Sequence, residues 1–70
     1  MSVTDTLTPL VRNAFDNAAE NGYGFKGWTD EQIANDMCDC DAEIGEYHPA
    51  IVLGVVRSVR HERQVSSGAA

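Results

Sequence analysis

Thr29 and Gln32 stand three residues apart directly before Ile33, and that spacing fixes the start of a helix in the middle of the chain. In such a capping box the threonine oxygen accepts the amide of the third helical residue, and the glutamine side chain reaches back to the threonine amide. Asp30 and Glu31 then sit at the positive end of the helix dipole, where carboxylates are favoured. A helix anchored here leaves one segment before it and one after it, each needing its own apolar face.

The first segment supplies one. Leu7, Leu10, Val11, Ala14, Phe15 and Ala18 recur at three- and four-residue steps, which predicts a helix over about 6–21. Proline is tolerated only in a first turn, so the start is expected between Asp5 and Pro9 with Thr8 or Asp5 as cap, and Asn21-Gly22 supplies a left-handed stop. From Thr29 onward, Ile33, Met37, Cys40 and Ile44 fall in one narrow stripe, which predicts a single helix over 29–45 ended by Gly45. In that helix Cys40 is expected to be buried and Cys38 to lie nearer the surface. Tyr47-His48-Pro49 reads as a turn, with Pro49 opening a third helix over 49–63. Val52, Val55, Val56 and Val59 share its face, and Ile51 and Leu53 widen it. The β-branched content of 50–59 would also suit a strand, but a lone strand would have no sheet to join. The expected fold is therefore an all-α, three-helix single domain over 1–70, with a glycine and aromatic loop at 22–28 and a disordered tail at 64–70.

A chain of 70 residues buries only about 60% of the surface its unfolded form exposes, so its stability is small and a partner would add to it. The start MSVTDTLTPL lacks the basic residue and apolar run of a secretion signal, and the apolar run 50–56 is too short to span a bilayer. A soluble cytoplasmic protein is expected, with its two cysteines reduced.

Three motifs suggest chemistry and fail on context. Gly22, Gly24 and Gly27 match the spacing of a dinucleotide-binding loop, but that loop needs a preceding strand within a βαβ unit. Cys38, Cys40, His48 and His61 invite zinc, yet residues two apart on a helix point about 160° apart. Asp39, Asp41 and Glu43 alternate as in a calcium loop, but the glycine falls one place late and Ala50 stands where the closing glutamate belongs. No cofactor or metal is expected. No nucleophile, base and orienting group share a sensible spacing, so no enzyme is expected.

What remains is surface. Eleven acids against five bases give a net charge of −6, which repels nucleic-acid phosphates and favours basic partners. The stretch from Asp30 to Glu46 contains no Lys or Arg, whereas Arg57, Arg60, His61 and Arg63 cluster near the end. On a continuous helix Asp36, Asp39, Glu43 and Glu46 form an acidic ridge, the first candidate for partner binding. Tyr23, Phe25 and Trp28 on the glycine loop are expected as lids over the core, or as anchors for a partner. Ala50, Ile51, Leu53 and Gly54 make a candidate homodimer face.

Two resemblances bear on function. TDEQIANDM resembles the first helix of a helix-turn-helix, which implies a transcription regulator, but the following helix would carry Asp41, Glu43 and Glu46 with no base to meet DNA. Over roughly residues 25–60, the pattern of an aromatic, Thr, two acids, Ile-Ala, an Asp-hydrophobic pair and Cys-Asp-Ala-Glu-Ile resembles short acidic open reading frames of phages and prophages. That resemblance implies a small protein that binds and disables host machinery in the host cytoplasm, as anti-CRISPR proteins do by mimicking DNA charge. The expectation is thus a non-enzymatic module whose acidic ridge docks on a host protein's basic, nucleic-acid-binding surface. A homodimer or a helix-turn-helix-like regulator is the alternative.

Overall fold

The computed structural model describes residues 2–22 and 24–68, with side chains as far as Arg63. The chain is all-helical, and the described residues form no strand. Helix α1 runs Val3–Glu20, α2 Asp30–Cys40, α3 Ala42–Gly45 and α4 Pro49–Gly68. Among the described residues, none of these is long and apolar enough to cross a membrane. The tail expected at 64–70 lies outside the described residues at 69 and 70, and outside the described side chains at 64–68.

Helix α1 starts earlier than its sequence suggests. Ser2 caps it, its hydroxyl oxygen accepting the Asp5 amide at 3.3 Å. Pro9 therefore falls inside the helix instead of opening it. Having no N–H, it leaves the Asp5 carbonyl without its usual partner, but Asp5 and Pro9 are exposed, so water can take that place. The stop is as the sequence implies: Gly22 adopts φ +90° and its amide returns to the Ala19 carbonyl at 3.1 Å.

The capping box of α2 forms in both directions, with Gln32 N donating to Thr29 Oγ1 at 3.2 Å and Thr29 N donating to Gln32 Oε1 at 2.9 Å. The helix predicted over 29–45, however, is two helices. Asp41 breaks it, with φ −122° and ψ 111°. Its amide closes α2 on the Met37 carbonyl at 2.9 Å, while its carboxylate accepts the Glu43 and Ile44 amides at 3.0 and 3.5 Å to open α3. One residue thus ends one helix and caps the next. The break also corrects the expected burial of the cysteines. Ile44 swings into the core and is wholly buried, whereas Cys40 is exposed and Cys38 half-buried. A straight helix would have carried Cys40 and Ile44 on the same stripe.

At the next turn His48 Nδ1 accepts the Ala50 amide at 3.1 Å, and its carbonyl accepts the amides of Ile51 and Val52. Pro49 then starts α4, which packs against both α1 and α2. The core joins Leu7, Val11, Phe15 and Ala18 of α1 to Ile33, Ala34 and Met37 of α2. Val52, Val55, Val56 and Val59 of α4 close it.

The glycine loop folds inward over this core. Phe25 is buried although it holds φ +58°, a conformation costly for a bulky residue. Its ring packs edge-on against Phe15 at 5.5 Å and Trp28 at 5.3 Å, and that aromatic contact offsets the strain.

Candidate functional site

The charged side chains sort into two groups. All four arginines form ion pairs that tie helices together. Arg12 on α1 makes a forked pair with Glu62 on α4, its shortest contact 2.8 Å. Arg63 on α4 donates to Asp16 at 2.8 Å and to the Arg12 carbonyl at 3.2 Å, and its guanidinium lies 5.5 Å over the Phe15 ring. Asp30 receives two arginines of α4, Arg60 at 2.9 Å and Arg57 at 3.3 Å.

The Arg60 hydrogen bond, the largest influence, holds the Asp30 carboxyl below its ordinary value; burial opposes it and Arg57 adds to it. A lowered carboxyl value favours the folded state above the unfolded value of about 3.8, and that contribution drains away as pH falls through the folded value. Asp30→Asn is expected to cost about 0.5–1 kcal/mol at neutral pH, discounted for the solvent that reaches the pair. Urea unfolding across pH checks this: the gap to the parent should close in acid. A gap that stays constant with pH would show that the pairing contributes nothing.

The second group has no such partners. Eight carboxylates lie outside the ion pairs among the described residues, and six of them fall between 31 and 46: Glu31, Asp36, Asp39, Asp41, Glu43 and Glu46. The break at Asp41 divides the four ridge residues, leaving Asp36 and Asp39 on α2, Glu43 on α3 and Glu46 as the residue that ends α3. They are thus an acidic surface spread over two helices, not the single line expected from one. Asp39, Glu43 and Glu46 are exposed and Asp36 is half-buried.

The two thiols face different ways. Cys38 lines a groove between α2 and α4, and Cys40 a shallow cleft between α1 and α2. Asp36 pushes the Cys40 thiol above its ordinary value by charge, with burial and a 3.8 Å hydrogen bond from the thiol to Asp36 Oδ1 adding to it. Burial, then Asp39, raises Cys38. Both thiols therefore stay protonated and poorly nucleophilic at neutral pH. Asp36→Asn is expected to speed alkylation of Cys40 at mildly alkaline pH by roughly two- to fivefold, with Cys38 as the internal reference. Mass spectrometry over time reads both rates, and unchanged Cys40 kinetics would rule out control by Asp36. Among the described residues no three His, Cys, Asp or Glu side chains converge as metal ligands would.

The other candidates are placed as follows. Phe25 belongs to the core, Trp28 is half-buried against it, and Tyr23 lies outside the described residues. Ala50, Ile51 and Gly54 are exposed on α4, Ile51 at 40%, and Leu53 is half-buried. Helix α3, where a helix-turn-helix would carry its DNA-reading helix, has four residues.

Sequence reasoning missed the groove between α2 and α4, where Ala34 and Cys38 face Pro49, Ala50 and Leu53 around about 220 Å³ of open space. Glu31 and Asn35 form its polar rim. The spacing of 31, 34, 35 and 38 already put these residues on one helix face, but nothing local showed that α4 would stand opposite. Comparison with protein-family models, curated proteins and solved structures finds no match to this chain.

Proposed function

We propose that this chain is a non-enzymatic protein-binding module that docks its 31–46 surface on a basic surface of another protein. One observation carries the reading. The arginines are taken up by pairs within the fold, so the stretch from Glu31 to Glu46 presents six carboxylates outside those pairs and no base of its own. Such a concentration of one sign steers an oppositely charged partner and weakens with added salt. Where the basic surface is one that binds nucleic acid, covering it inhibits its owner, the mode of action of a phage-type or anti-CRISPR-like inhibitor in a host cytoplasm.

The test is comparative capture from a host lysate at physiological ionic strength. The parent chain is run beside a variant carrying Asp36→Lys, Asp39→Lys, Glu43→Lys and Glu46→Lys. A discrete partner retained by the parent, released by salt and lost by the variant is the expected result. Equal retention by both chains would refute the reading.

A further inference from the structure

We infer that the groove between α2 and α4 seats the apolar side of a cationic amphipathic helix belonging to that partner. The inference rests on the 31–46 surface being the docking face, and adds which edge of it the partner touches and what the partner must carry.

The groove has the size and lining for an anchor side chain. Ala34, Cys38, Pro49, Ala50 and Leu53 bound its roughly 220 Å³ with carbon and sulfur. An apolar cavity of about 150 Å³ is enough to take up benzene, so one large aliphatic or aromatic side chain fits. Its walls are two helices, the shape into which a partner helix lays its apolar face. On the α4 side Ala50 at the groove is small and exposed, and at Gly54, one turn further on, an added Cβ would meet nothing within 4 Å, so a partner backbone can come close there.

Charge decides what occupies it. Among the described residues, Glu31 is the one charged residue lining the groove. Asn35 and Asp39 follow it at four-residue steps, so the α2 rim presents two carboxylates along one line and no base. That rim runs about 12 Å, or two helical turns, which suits cationic side chains one turn apart on a helix whose apolar stripe enters the groove. A second copy of this chain fits poorly. It brings its own charge of −6, and its four arginines are held in its own ion pairs. The complementary occupant is a different, basic chain.

Three synthetic helical peptides of about 18 residues test this by NMR titration of the isotope-labelled full chain. One carries a leucine stripe with lysine flanks, one keeps the lysines with serine in place of leucine, and one keeps the leucines with glutamate flanks. The leucine-lysine peptide is expected to bind about tenfold or more tightly than the serine-lysine one, the gain from burying one large apolar side chain. Its largest shifts should fall at Ala34, Cys38, Ala50 and Leu53. Ala50→Trp, which fills the groove from an exposed position, should abolish that advantage, so that the leucine-lysine and serine-lysine peptides bind it alike. If both cationic peptides bind equally and the groove signals stay still, the groove inference is overturned while the acidic face stands. If neither cationic peptide binds, both fall. Equal binding of the leucine-glutamate peptide overturns the cationic requirement, and groove shifts that depend on the concentration of free protein overturn the inference in favour of a second copy.

Discussion

Ile44→Ala is expected to leave most of the chain unfolded at physiological temperature. Ile44 is wholly buried, and it is the one core residue of α3. Truncating a buried isoleucine to alanine costs about 2–5 kcal/mol, and a core in a chain this short rarely supplies more than about 3–5 kcal/mol in all. A four-residue helix has no stability of its own. Without Ile44, α3 keeps its Asp41 cap but loses its hold on α1 and α2. Circular dichroism and urea unfolding measure the loss, with Ile44→Val as the graded control at about 0.5–1.5 kcal/mol. An alanine variant as stable as the valine control would show that α3 is peripheral to the fold.

Gly45→Ala is expected to destabilise by about 1–3 kcal/mol through overpacking. A Cβ at this position would stand 2.7 Å from the Cys38 carbonyl oxygen. The obstacle is backbone, so no rotamer change relieves it, and α3 would have to lift from the last turn of α2. The backbone of Gly45 is not left-handed, so the cost comes from the contact and not from its dihedrals. Gly54→Ala makes the opposite case, because it lies within α4 with open space around it. It should stabilise by about 0.5–1 kcal/mol by lowering the entropy of the unfolded chain and raising helix propensity. Urea midpoints of the two variants check both signs. A Gly45→Ala variant matching its parent would mean that α2 and α3 do not meet this closely.

The parts of this fold that could be read from sequence are those whose causes are local. The capping box needs only Thr29 and Gln32, and the faces of α1 and α4 follow from periodicity within each segment. Asp41 shows where local reasoning fails. Ile33, Met37, Cys40 and Ile44 keep helical register across it, so the apolar pattern gave no reason to stop. The competing signal was the aspartate itself, a strong cap placed ahead of Ala-Glu-Ile. Helical arithmetic separated the two cysteines onto different faces and put Ile33 and Met37 in the core, but the break leaves Cys40 exposed at the end of α2 while Cys38 is half-buried, and so their burial came out reversed. The acidic character of 31–46 needed only composition. That it stays uncompensated did not follow from composition, because the pairs that occupy the arginines join residues as far apart as Arg12 and Glu62.

The ion pairs that join the helices use Asp16, Asp30 and Glu62, whereas the outward charge resides on other residues, with Asp39 and Glu46 outside every ion pair among the described residues. Internal cohesion and outward charge are therefore written in separate positions of the chain. On the proposed docking role, exchanging Asp39 or Glu46 for a neutral residue would retune how strongly the surface attracts a partner while leaving the joints between helices intact. A chain with that proposed role would have room to follow a changing partner by single substitutions, without first acquiring a more stable fold to tolerate them.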